Sequence, residues 1–236
     1  MENKELDWLK KRVGYFTSSS VRRLMSSSGK FTQEGITYLL EIEQQRLINE
    51  PLPPVTSAAM SFGLENEKYA VEYLRENMFP ELIYSAEQEE IIFRTTEYGA
   101  GSSYDCWLGY DLIIEIKCCY SQKEISYIFS PSIPYEEKKK YVFKEHGDQL
   151  AVQLLCDPMA GSIAVFKYNP QRDDNQFDLR SPLDKSRGQY FEFQREDFDL
   201  DKYKKHITFA NNYLNSGKNI LDINKEWELS TKKEKK

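Results

Sequence analysis

The sequence predicts an α/β fold in which a small mixed central β-sheet is flanked by helices. Three observations predict it. Of 236 residues, 40% are hydrophobic and 14% aromatic, enough to pack a domain-sized core, while the 30% that are charged supply a polar surface. Apolar residues recur at three- and four-residue steps through the first third of the chain, whereas strand-like segments come later, at 112–118, 162–168 and 189–195. The order is therefore helices, a hairpin, a helix, two strands and a helix, and a mixed sheet with helical cover accommodates it. One domain over 1–225 is expected, with a charged, disordered tail at 226–236 that ends Lys232-Lys-Glu-Lys-Lys236.

Taken in order, residues 5–12 predict a short first helix. Gly14-Tyr-Phe-Thr-Ser-Ser-Ser20 breaks it and offers hydroxyls to cap a second helix, Val21–Met25. Ser26-Ser-Ser-Gly29 reads as a loop. A helix over about 32–49 carries the stripe Ile36, Leu39, Leu40 and Leu47 and stops at Glu50-Pro-Leu-Pro-Pro54. A longer helix spans roughly 57–78, and its stripe of Met60, Leu64, Val71, Leu74 and Met78 includes Glu67. A carboxylate facing the core is costly unless paired; at the edge of the stripe it would reach solvent.

Phe79-Pro80 ends that helix, and Glu90-Ile-Ile-Phe93 predicts a strand. Beyond the hairpin, residues 120–135 contain Pro131 and Pro134 and read as a mobile loop. A helix then runs from Tyr135 to Cys156, with a break expected at Gly147. Gln149 and Gln153 share its half-buried face and need hydrogen-bond partners, which a backbone edge could also supply. The Asp-rich loop between the strands at 162–168 and 189–195 holds no motif. The last amphipathic helix, 196–217, has Tyr203, Ile207, Ala210 and Leu214 in its stripe.

Chemistry first shows in the hairpin. From Leu112, alternation puts Leu112, Ile114, Ile116 and Cys118 on one face and Ile113, Glu115 and Lys117 on the other. A reversal at Gly109-Tyr-Asp111 folds the chain about Tyr110 and brings Asp105 opposite Glu115. Like charges facing across a ladder repel, by about 3 kcal/mol at roughly 5 Å and an effective dielectric of about 20. A hard divalent cation would turn that repulsion into a site, because Mg²⁺ binds through one or two carboxylates plus water and phosphate oxygens. The alternative is an exposed face on which acid and lysine make a surface ion pair of little worth.

Net charge is −6, which argues against a protein that coats nucleic acid without preference. Residues 1–30 nevertheless hold seven basic side chains against three acidic ones. Arg12, Ser18, Ser19, Arg22 and Arg23 lie where a helix start would offer free N–H groups, a ready anion site, although a solvated charged helix explains the same run. The start of the chain has no apolar run and no stretch is long enough to span a bilayer, so an intracellular, cytoplasmic protein is expected. Cys106, Cys118, Cys119 and Cys156 fit that compartment. Adjacent Cys118 and Cys119 would point to opposite sides of a strand, and no zinc or iron–sulfur spacing occurs.

The motifs together resemble the PD-(D/E)xK nuclease superfamily, in the branch of the bacteriophage lambda exonuclease and the YqaJ-like viral recombinases. Arg12-Val-Gly-Tyr-Phe-Thr-Ser-Ser19 is similar to that family's Arg-x-Gly-x-x-Thr-x-Ser segment, and Gly63-Leu-Glu-Asn-Glu67-Lys-Tyr-Ala70 to its Gly-x-x-x-Glu-x-x-Ala helix. Ser103-Tyr-Asp105 with Glu115-Ile-Lys117-Cys118 resembles its Ser-Pro-Asp and Glu-x-Lys-Cys strands, with Tyr104 in place of the proline. Gln149-Leu-Ala-Val-Gln153 resembles the glutamine helix that follows.

The resemblance implies a restriction-endonuclease-like core. It implies Asp105 and Glu115 as Mg²⁺ ligands, with Mn²⁺ as substitute, joined by the Ile116 carbonyl. Glu67 would bind or orient a second metal or its water, Lys117 would position the attacking water, and Gln149 would hold Lys117 or the substrate. Arg12, Ser19 and Ser103 would grip a DNA 5′-phosphate. A further acid of the lambda enzyme, ten residues before the metal aspartate, falls at Thr95, which leaves two-metal occupancy open. The implied activity is 5′-to-3′ degradation of one strand of duplex DNA in viral or phage recombination. The implied partners are double-stranded DNA ends, a single-strand-annealing protein and further copies of the chain in a trimer. Two alternatives stand beside it: a nicking or structure-specific endonuclease on the same core, and a non-catalytic DNA-binding module.

Overall fold

Caps and breakers set the helix ends. The structure, a computed structural model, describes residues 2–24, 29–53, 56–170 and 187–233. Helix α1 (Glu2–Lys11) opens the chain and leads to strand β1 (Phe16–Thr17) and a 3-10 turn, Ser18–Arg23. The Thr32 hydroxyl accepts the Gly35 N–H to start α2 (Gln33–Ile48), which Asn49 closes in the left-handed region. The Ser57 hydroxyl accepts the Met60 N–H to start α3 (Ala58–Asn77). Short strands β2 (Ile83–Tyr84), β3 (Arg94–Thr95) and β4 (Ala100–Ser102) follow, then the hairpin strands β5 (Cys106–Leu108) and β6 (Leu112–Cys118). Helices α4 (Gln122–Ile128) and α5 (Tyr135–Cys156) cross to β7 (Ser162–Tyr168), and β8 (Gly188–Gln194), α6 (Leu200–Asn215) and α7 (Ile223–Lys233) complete the order.

The strands form a five-stranded mixed sheet, β2-β5-β6-β7-β8, and a three-stranded one, β1-β4-β3. Among the described residues only β6–β7 and β1–β4 are parallel. Central strand β6 is covered on both faces, as parallel pairing demands. Ile114 and Ile116 meet Ala70, Val71 and Leu74 of α3, while Ile113 meets Leu150, Ala151 and Leu154 of α5. Polar Glu115 and Lys117 share the α5 face with Ile113, so the helix that covers the sheet must also answer their charges. A third core joins α2, α6 and α7 to β1.

Several expectations are corrected. The short helix at 21–25 is the 3-10 turn Ser18–Arg23, and Met25 lies outside the described residues. In α2 the buried side is Tyr38, Leu39 and Ile42, whereas Leu40 and Leu47 are exposed. The part of α3 buried on the sheet is Ala70–Leu74, so Met60 and Leu64 before it and Met78 at the C-cap are exposed too. The strand expected at 90–93 begins at Arg94, because the Phe93 ring instead packs on Gly101, where an added Cβ would lie 2.3 Å from it. Residues 122–128 form α4 rather than a loop: Ser121 caps it, and Ile125 and Ile128, three apart, bury together.

Helix α5 runs through Gly147 without a break, since one helical glycine costs only about 1 kcal/mol and Val142 and Leu150 are fully buried around it. The helix expected over 196–217 begins at Leu200, after a 3-10 turn over Arg195–Asp197. The tail expected to be disordered from 226 carries most of α7, whose Trp227 is 7% exposed and packs edge-on against Phe31 and Phe209. Burying an indole of that size contributes on the order of 4 kcal/mol, which outweighs the surrounding charge. The Asp-rich loop falls largely within 171–186, outside the described residues.

Candidate active site

The hairpin register is the one the sequence predicts. Cys106, Trp107 and Leu108 pair with Ile114, Ile113 and Leu112, and the turn passes through Gly109 at φ +60°. One further step would set Asp105 opposite Glu115, but the ladder ends at Cys106. Asp105 bends out, its carbonyl accepting the Ser85 N–H at 2.9 Å and its Oδ2 accepting the Ile116 N–H at 2.8 Å. The carboxylate thus takes the place of a strand at the free edge of β6. The Ile116 carbonyl leaves that same edge, since both polar groups of a strand residue point one way.

Glu115 is 4% exposed and held at both oxygens. Oε1 accepts from Lys117 Nζ at 2.5 Å and Gln149 Nε2 at 2.6 Å, and Oε2 accepts from Gln153 Nε2 at 2.5 Å. Gln149, expected to hold Lys117 or the substrate, therefore holds the acid beside that lysine. The Lys117 ammonium feels burial, which lowers its pKa, but the charges of Glu115, Asp105 and Glu67 outweigh it and the group stays protonated.

Glu67, partly buried on α3, approaches from the opposite side of the sheet. Its carboxyl is pushed up by burial and by Glu115, against a hydrogen bond from the Tyr84 hydroxyl and the charge of Lys117. Asp105 is pushed well up by burial first, then by Glu115 and Glu67, against Lys117 and the Ile116 N–H. Three acids therefore converge where the resident cation, Lys117, only partly offsets them. Among the described residues no three acidic, His or Cys side chains make a closed metal cage. The hard oxygen donors Asp105, Glu115 and the Ile116 carbonyl fit a divalent cation that completes its shell with water and phosphate oxygens.

The predicted phosphate grip is assembled by a residue that sequence reading passed over. Arg12 donates to Ser19 Oγ at 3.1 Å and stacks 3.9 Å above the Trp8 ring, and Trp8 Nε1 donates to Ser103 Oγ at 3.4 Å. Trp8 precedes Arg12 by four residues at the end of a helix, a spacing that could have pointed to it. Burial holds the Arg12 guanidinium below its usual range, against the Tyr38 hydroxyl. Ser18 is buried against Ser102, and Arg23 is spent on Glu41 in two 2.7 Å bonds, so of the wider anion set Ser18 and Arg23 are internal. Gln153, which the sequence places on the glutamine helix without a role of its own, links grip to acids: Nε2 also donates to the Ser103 carbonyl, at 3.4 Å.

A mixed sheet with carboxylates and a lysine on its central hairpin, covered by a glutamine-bearing helix, is the restriction-endonuclease-like α/β core. An alkaline exonuclease (LHK-Exo) from Laribacter hongkongensis has this fold: TM-score 0.63 at 20% identity, covering 96% of this chain and 98% of that one. The same enzyme in complex with dAMP gives 0.60 at 21% identity over the same shares. A phage-related exonuclease from Haemophilus somnus gives 0.62 at 17% identity, over 85% of this chain and 93% of that one. No protein-family model matches the chain, and no curated protein sequence matches it. No described helix is long and apolar enough to cross a membrane.

Proposed function

We propose that the chain is a Mg²⁺-dependent exonuclease, with Mn²⁺ as a working substitute, that hydrolyses one strand of linear duplex DNA from its 5′ end. The observation that carries the reading is the approach of the Asp105 and Glu115 carboxylates beside Lys117, with Gln153 tying that centre to Ser103. The fold shared with alkaline and phage-related exonucleases supports it. Asp105, Glu115 and the Ile116 carbonyl would hold the cation, which when bound acts as a Lewis acid on a phosphate oxygen.

The chain's own groups do the rest. Lys117 donates to the attacking water and stabilises charge developing on the phosphate, and Gln149 and Gln153 hold Glu115 in place. Glu67, its pKa raised, accepts a hydrogen bond from that water and orients it. Arg12, Ser19 and Ser103 bind the terminal 5′-phosphate, so that hydrolysis falls at a fixed step from the end. A role in phage or viral recombination, an annealing partner and a homotrimer rest on the motif resemblance alone. The test is digestion of linear and closed circular duplex in Mg²⁺ with end-labelled strands: loss of 5′ label from linear duplex alone supports the reading, and cutting of circles favours an endonuclease.

A further inference from the structure

Lys167 of β7 is 1% exposed, lies on the α5 face of the sheet and is in register with Lys117 of β6. Neighbouring ammonium groups repel, and each has its own acid: Lys117 is 2.5 Å from Glu115, and Lys167 is 2.6 Å from Glu124 of α4. Lys167 also lies 2.7 Å from Nε2 of His146 on α5. An ammonium only donates, so Nε2 accepts and the imidazole is neutral with its proton on Nδ1. Burial, then the positive charges of Lys167, Lys117 and Arg22, hold His146 well below the usual histidine range and so favour the same neutral form.

Among the described residues no protein group bonds Nδ1, and the ring is only partly buried. The ring lies within reach of the charges of Lys117 and Arg22, the latter on the same 3-10 turn as Ser19. His146, Gln149 and Gln153 fall at three- and four-residue steps on α5, so they share one face about a turn, roughly 5 Å, apart. Along that face Gln153 reaches Ser103, Gln149 reaches Glu115, and His146 lies beyond, beside the lysine pair.

We propose that His146 is a substrate-binding residue that donates from Nδ1 to the backbone phosphate next to the scissile one, on the side away from Ser103. Lys167 and Glu124 are positioning residues that fix its tautomer. This rests on the nuclease reading above. A neutral donor adds a hydrogen bond to the strand without adding charge to a crowded cationic row, and a buried Lys–Glu pair kept only for packing would need no histidine beside it.

The test is single-turnover digestion of 5′-phosphorylated linear duplex in Mg²⁺, with enzyme concentration varied, by the wild type, His146→Ala and His146→Asn. His146→Ala should raise the half-saturating concentration about tenfold with little change in maximal rate. His146→Asn, whose amide can donate from the same position, should recover most of the loss. A methylphosphonate at the proposed phosphate should penalise the wild type more than His146→Ala. The salt dependence of binding should keep its slope in His146→Ala, whereas a lost cationic contact would reduce it by about 1. If His146→Ala melts below the assay temperature, His146→Gln, which meets Lys167 but carries no donor at the δ position, replaces it. Half-saturation equal to wild type, or equal methylphosphonate penalties in the two proteins, overturns the proposal. A wild type that digests no duplex sinks the nuclease reading and this inference together; a digesting wild type with an indifferent His146→Ala sinks this inference alone.

Discussion

Gln153 donates one amide nitrogen both to Glu115 Oε2, at 2.5 Å, and to the Ser103 carbonyl, at 3.4 Å. Because Gln153 is fully buried, nothing else can supply that donor. Gln153→Leu keeps the volume and leaves a buried carboxylate oxygen unpaired, a cost of about 1–3 kcal/mol. Activity should fall roughly 10–100-fold, with a higher Mg²⁺ requirement. Steady-state rates across a Mg²⁺ series check this, and a wild-type Mg²⁺ dependence would exclude Gln153 as an orienting residue.

Acid pressure at the site gives a pH signature. Asp105 and Glu67 have pKa values raised in the folded chain, whereas unfolded carboxylates titrate near 4. Between those values the folded state binds more protons than the unfolded one, so stability falls as pH rises through the folded pKa values. Metal-free protein should therefore melt higher near pH 5.5 than near pH 8, and added Mg²⁺ should recover stability at the higher pH. A melting temperature in chelator that rises with pH across this window would contradict the pairing.

The same repulsion makes Asp105→Asn informative. The amide oxygen can still accept the Ile116 N–H, while a buried negative charge is removed. In chelator the variant should be more stable than wild type, by about 1 kcal/mol, and lack the stabilisation by Mg²⁺. Thermal melts with and without the cation measure both.

The grip predicts end selectivity. Arg12→Ala removes a cation stacked on Trp8 and bonded to Ser19, and should slow digestion of 5′-phosphorylated ends about tenfold or more while sparing 5′-hydroxyl ends. Paired substrates that differ only in that phosphate report the change.

Helix α7 is tested apart from chemistry. Trp227→Ala should cost about 3–5 kcal/mol, because the indole meets Phe31, Phe209 and His206 in the third core. Denaturant unfolding measures it, and a loss under 1 kcal/mol would return residues 226–233 to the status of a tail.

The hairpin was legible because strand alternation and one turn glycine fix register by arithmetic, so the approach of Asp105 to Glu115 followed from counting to Tyr110. The starts of the helices near 32 and 57 were equally local. What periodicity could not supply was which apolar residues find a partner. Met60, Leu64, Leu40 and Leu47 continue good stripes but extend past the surface that buries their neighbours. Helix α4 was hidden by two prolines that lie beyond its end, and α7 by lysines that mask one buried Trp227. The role of Gln153 and the Lys167–His146 pair depend on contacts 21 to 50 residues apart in sequence, which no local pattern encodes.

The most direct measurement of the central claim is strand-resolved digestion of a 5′-phosphorylated linear duplex by wild type and Lys117→Ala in Mg²⁺. The proposed function predicts that wild type degrades the 5′-phosphorylated strand from its 5′ end and leaves the complementary strand whole, while Lys117→Ala, matched in folding, loses at least a hundredfold in rate. Equal digestion by the two proteins, or release that starts from 3′ ends, would contradict the account.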